Sequence, residues 1–174
     1  RVLLTICCLY GLPALAANQV STPFQADPTI ILDDRKPSLQ VTTDIESWID
    51  EGSHANIEHV ASGSVKFKPE PALTRYALNK YDTLWIKLRL ARAPDSRGQW
   101  TLNLPIPFAD AATLYQTDSV GLWSAQRAGD TVAHSEWQKQ GLYPDFDLQF
   151  KNQAVKVVYL QIRNFKHISL PIRL

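Results

Sequence analysis

Six side chains have the types and spacing to hold a small molecule. Trp85, Lys87 and Arg89 alternate along LWIKLRL, and Tyr159, Gln161 and Arg163 alternate along VYLQIR. In an extended strand, residues two apart point to the same face. Each set therefore presents an aromatic plane, a hydrogen-bonding group and a guanidinium together. If the two strands are neighbours in one sheet, the combined face could stack a sugar ring or hold a carboxylate. The simpler expectation is packing: the same aromatics would lie under a loop or a short N-terminal helix.

Other chemistry is weakly represented. The four histidines, His54, His59, His134 and His167, are scattered, with no His-x-His or HExxH spacing for a metal. Asp145 and Asp147 would share a strand face, but Asp110, Asp118 and Asp130 fall near turns, where acids are common. No nucleophile elbow and no phosphate-cradling glycine loop occurs. The residues thus point to binding without catalysis, with no cofactor. A formal net charge of +1 argues against nucleic acid as a partner.

The elements that must position the six residues read as β-strands. Leu84, Ile86, Leu88 and Leu90 form the apolar face of one, and Trp100, Leu102 and Leu104 that of the next. APDSRG lies between them, too long for a two-residue hairpin, so the strands are expected to pair directly or across an irregular turn. Further strands are expected at Thr29–Leu32, Leu39–Thr42, around Val65 and Phe67, and at Ala112–Gln116 and Gly121–Ala125. Phe146 to Phe150, Val158 to Ile162 and Ile168 to Leu174 continue the alternation, and RAGDTVAHS reads as a turn with a short strand. Ile45, Trp48 and Ile49 have helical spacing, so Asp44–Asp50 is expected to be a short helix, and a second turn of helix is expected within Ser53–Val60. Many short strands and no strand–helix alternation predict an all-β fold, a jelly-roll-like antiparallel β-sandwich with one or two short N-terminal helices.

At the N-terminus, RVLLTICCLYGLPALA carries a basic residue, an apolar run and an Ala-x-Ala end. This predicts a signal peptide over residues 1–16, cleaved between Ala16 and Ala17, a polar leader over 17–28 and a folded domain over 29–174. Cleavage removes both cysteines, Cys7 and Cys8. It also takes Arg1 from the 18 basic residues and none of the 17 acids, which brings the formal charge to 0. The domain is expected in an oxidising compartment without a disulfide. The lack of any Met and the ending inside an apolar strand pattern predict that this is a piece of a longer protein.

An ordered set of segments resembles a known family. LWIKLRL is followed by WTLNLPIPFADAATLY, then by the Gly-Asp turn of RAGDTVAHS, then by YPDFDLQF, and last by VYLQIRNFKHISLPIRL. This order resembles the second type of extracellular domain of bacterial seven-transmembrane receptors with diverse intracellular signalling modules. The resemblance implies a periplasmic jelly-roll-like sensor of small molecules, carbohydrates among them. It also implies attachment to the inner membrane through a C-terminal part outside this sequence, a histidine kinase or diguanylate cyclase output, and dimerisation in the full receptor. It carries no ligand residues with it. The alternative expectation is a secreted carbohydrate-binding module, free or joined to a hydrolase, whose affinity would rest on Trp85 and Tyr159. An exported enzyme is the third.

Overall fold

The structure, a computed structural model, describes residues 28–42, 45–71, 73–106, 109–151 and 155–174. The expected signal peptide and its Ala16–Ala17 cleavage site lie outside the described residues. So does all of the leader except Pro28.

In chain order the elements are β1 (Ile30–Leu32), β2 (Ile45–Asp50), α1 (Ile57–Ala61), β3 (Lys68–Glu70), β4 (Arg75–Leu78) and β5 (Thr83–Arg92). Then follow β6 (Trp100–Asn103), β7 (Ala111–Thr117), β8 (Trp123–Ala128), a 3-10 turn (His134–Glu136), β9 (Asp145–Leu148), β10 (Lys156–Arg163) and β11 (Lys166–Ser169). The expected β-sandwich forms. One layer is a seven-stranded sheet in the order β3-β2-β5-β10-β7-β8, with β1 joining β5 in parallel. The opposite layer consists of the ladders β11-β4 and β6-β9. The C-terminal residues link it further. Asn103 and Arg173 exchange backbone hydrogen bonds at 2.8 and 3.0 Å, and Leu39 and Leu174 do so at 2.6 and 2.8 Å.

The strands form because each carries one apolar face that water disfavours, and the two layers press those faces together. Leu84, Ile86, Leu88 and Leu90 of β5 and Val158, Leu160 and Ile162 of β10 meet Leu102 of β6, Phe146 of β9 and Ile168 of β11 in one core. Two buried glutamines fasten the layers to each other. The Gln126 amide donates to Asp147 O at 2.8 Å and accepts from Asp147 N at 2.8 Å. The Gln116 amide donates to Asp147 O at 2.7 Å and accepts from Gln149 N at 2.9 Å. Side chains thus satisfy backbone groups that β9 cannot pair within its own short ladder.

Four expectations are corrected. The strands of Tyr81–Pro105 do not pair. β5 and β6 lie in opposite layers, because two strands with one apolar face each bury more surface face to face than edge to edge. The crossing loop is held by Asp34, whose carboxylate accepts from the backbone N–H groups of Arg97 at 2.6 Å and Gly98 at 2.8 Å, and from the Trp100 indole at 3.1 Å. A Cβ on Gly98 would stand 2.8 Å from that carboxylate, so any larger residue there would have to displace it.

Residues 45–50 are the strand β2, not a helix. Tertiary pairing with β5 overrides the helical spacing, since Ile45 and Ser47 then face the core while Glu46 and Trp48 meet Lys87 and Trp85 across the ladder. The run around Val65 and Phe67 becomes a strand only from Lys68, and it contains Pro69. That is tolerated because β3 is an edge strand. In RAGDTVAHS, Arg127 and Ala128 end β8 and no separate strand follows. Gly129 makes the turn at φ +125°, and the 3-10 turn comes next.

The second expected helix is present. Asn56 caps α1 by accepting from the His59 N–H at 2.9 Å. Strand β4 was hidden in sequence by its shortness. Only Tyr76 and Leu78 mark its buried side.

Candidate functional site

The outer face of the large sheet is built in rungs. One rung runs Trp48, Trp85, Gln161, Thr113, Arg127 across β2, β5, β10, β7 and β8. The next runs Glu46, Lys87, Tyr159, Tyr115, Ala125. A third pairs Arg163 with Ala111, and a fourth pairs Arg89 with Val157. The two sequence sets are therefore neighbours on one sheet, and all six residues lie on one surface.

The structure nevertheless divides them into two groups. Trp85 is 0% exposed and Tyr159 is 7% exposed, so neither offers an open ring face for stacking. Helix α1 lies over them with Ile57 and Val60. Trp85 stacks on Tyr115 at 5.7 Å between ring centroids, and Tyr159 meets Trp123 edge-on at 5.8 Å and Phe67 at 6.0 Å. The Trp85 indole N–H has no hydrogen-bond partner among the described residues. Lys87 is held by Glu46 in an ion pair at 2.8 Å, with its ammonium 5.7 Å from the centre of the Phe67 ring. Arg89 is half-buried beside Tyr159. The packing expectation describes this half of the face.

Gln161 and Arg163 belong to the other half. There a cleft of about 460 Å³ opens between the start of α1 and the sheet. Its floor is β7, where Ala111 and Thr113 are short. Its sides are Arg163 and Gln161 on β10 and Arg127 on β8. Tyr115 and the Asn56–Ile57 turn close one end. The cleft exists because small residues on the middle strand separate long residues on the two flanking strands. Tyr115 donates from its hydroxyl to Gln161 Oε1 at 3.3 Å, which turns the amide across the floor. Burial pushes the Tyr115 hydroxyl up, and the nearby guanidiniums of Arg163 and Arg127 oppose that rise. Both cations therefore act on the same spot.

A second depression of about 370 Å³ lies past the far end of α1, between Ala61, Trp123 and Tyr159. Lys156 borders it, with its ammonium donating to Thr117 O at 2.9 Å and to Gln149 O, and burial pushes its pKa down. Its cation is thus already occupied by backbone carbonyls.

Sequence reasoning missed Arg127, Thr113, Ala111 and Tyr115. The signal was present but weak. Arg127 is an exposed strand position next to the Gly-Asp turn, and its relation to Gln161 depends on β7 lying between them, which no local pattern reveals.

The chain matches the 7TMR-DISM extracellular 2 family over residues 42–174 and belongs to that family. It is thus an extracellular domain of the type carried by transmembrane receptors. No curated protein matches it. No helix among the described residues is long and apolar enough to cross a membrane.

Proposed function

We propose that the domain is the periplasmic sensor of a bacterial signalling receptor and that its small-molecule ligand occupies the cleft over β7. The observation that carries this reading is the floor of Ala111 and Thr113 between the cationic walls of Arg127 and Arg163, a shaped and polar recess on the outer face of the sheet. The export signal brings the domain to the periplasm. Membrane helices beyond this sequence link it to a histidine kinase or diguanylate cyclase. Occupancy favours whichever placement of α1 over the sheet binds ligand better, and the receptor follows that bias.

The buried rings of Trp85 and Tyr159 speak against the alternative of a carbohydrate-binding module that stacks sugars on an open aromatic platform. Membership of an extracellular sensor-domain family supports a binding role over an enzymatic one.

A thermal-shift screen with neutral sugars, amino acids and organic acids tests the reading. A ligand at about 100 times its Kd stabilises the folded state by about 2.7 kcal/mol, which a melting curve resolves. The variant Ala111→Phe fills the floor without altering charge and should abolish the shift. Binding that survives Ala111→Phe rules out the cleft. A screen in which no class of compound binds rules out the sensor reading.

A further inference from the structure

We infer that the cleft is an anion site and that its ligand is a small organic carboxylate held by Arg127 and Arg163. The inference rests on the sensor reading above and adds the chemical class.

The backbone places the two arginines so that they can act together. Arg127 is two strands from β10, and Arg163 is two residues along β10 from the rung that Arg127 shares. At ~4.8 Å between strands and ~3.4 Å per residue, their Cα atoms are about 12 Å apart. That separation lets two long side chains converge from opposite sides on one group between them. Because Ala111 and Thr113 are short, nothing on β7 fills the gap.

No acid lines the cleft among the described residues. Three carboxylates border it. Glu136 reaches Arg127 at 3.7 Å, a long contact between exposed side chains. Glu58 on α1 stands close enough to raise the Tyr115 pKa. Asp110 is turned to the backbone N–H of Phe165 at 2.9 Å. Arg163 has no carboxylate within ion-pair distance among the described residues.

A guanidinium presents a planar fork of N–H donors that matches a carboxylate. The remaining groups are neutral and polar: the Thr113 hydroxyl, the Gln161 amide and the Tyr115 hydroxyl. They suit hydroxyl or carbonyl oxygens on the body of the ligand. The cleft is much larger than a lone oxyanion, so the charged end should be one part of a larger molecule.

Paired probes test this on the whole chain. Galacturonate, gluconate and malate are titrated by calorimetry beside galactose, glucose and glycerol, with inorganic phosphate and sulfate at matched ionic strength. At least one of the three carboxylates should bind, and bind at least tenfold more tightly than every neutral probe and than either inorganic anion. Arg163→Gln and Arg127→Gln should each weaken it about 10- to 100-fold, as expected for lost hydrogen bonds to a charged partner. Both positions are exposed, so the unliganded melting temperature should hold. Glu136→Gln should tighten binding by releasing Arg127.

Three results would overturn the inference. One is a neutral probe that binds best and is lost with Ala111→Phe, which leaves the sensor reading standing. Another is phosphate or sulfate equalling the carboxylates, which reduces the cleft to a general anion patch. The last is a panel in which no carboxylate binds.

Discussion

The two faces of the large sheet are made by the same strands and behave in opposite ways. On the inner face, Ile86, Leu160 and Leu114 form a rung of aliphatic side chains without exposure, flanked by Ser47 and Gln126. On the outer face, the rung one residue away begins in the half-buried Trp48 and the buried Trp85 and ends in an exposed arginine. The inner face is packed against the second layer. Among the described residues the outer face is covered chiefly by the five-residue α1 and Phe67, and one short helix cannot span five strands. Aromatic residues fill the part beneath the helix, and the part beyond it becomes a cleft. Where cover is complete a sheet stabilises the fold. Where cover stops, the same sheet can hold a ligand.

The sharpest way to break this contrast is to remove core volume. Leu160→Ala should destabilise the domain by about 2–5 kcal/mol through lost burial and a residual cavity, measured by urea unfolding. A loss as small as that of an exposed site would show that the layers are not packed as described. Next comes the fastening between layers. Gln126→Leu removes both bonds to Asp147; the Asp147 carbonyl keeps its bond from Gln116, but the Asp147 N–H is left unpaired, at a cost of about 1–3 kcal/mol. An unchanged midpoint would mean that β9 finds other partners.

The smallest effect is expected from pH. Hydrogen bonds with Arg35 hold the Asp33 carboxyl down at about 2, and the backbone N–H groups of Gly98 and Arg97 hold that of Asp34 down. The backbone N–H of Asn79 does the same for Asp82. Each is lower in the folded state than the ordinary value of about 3.9. The unfolded chain therefore takes up protons first as the solution is acidified. Their contribution is complete above about pH 5 and should fade as pH drops from about 4 toward 2. Melting temperatures across that interval measure it. Asp34→Asn, which also loosens the loop between β5 and β6, should flatten the slope.

Much of the domain was legible in the chain because alternation is local. The strands around Leu84–Leu90, Ala112–Gln116 and Val158–Ile162 could be read from period alone, since each buries one face wherever it is placed. Asp44–Asp50 misled because Ile45, Trp48 and Ile49 satisfy both a helix and a strand. Seven residues are too few for periodicity to separate the two, and the cross-strand partners Lys87 and Trp85 made the choice. The candidate site was half legible for the same reason. Trp85, Lys87 and Arg89 could be assigned to one face and Tyr159, Gln161 and Arg163 to another, and the ladder between β5 and β10 joins those faces. Which of the six would be covered was not encoded within either strand.

Local pattern was thus enough to specify most of the strands, their buried sides and the Gly129 turn, because these depend on residues a few positions apart. It could not specify that β5 and β6 would face each other across the core rather than pair, or that β7 would stand between β10 and β8. Those outcomes depend on burying whole faces at once, a property of the assembled layers. The position of α1 over Trp85 and Tyr159 is of the same kind. It leaves the rings as core and opens the space beside Gln161 and Arg163, with Arg127 brought from a strand two places away to face them.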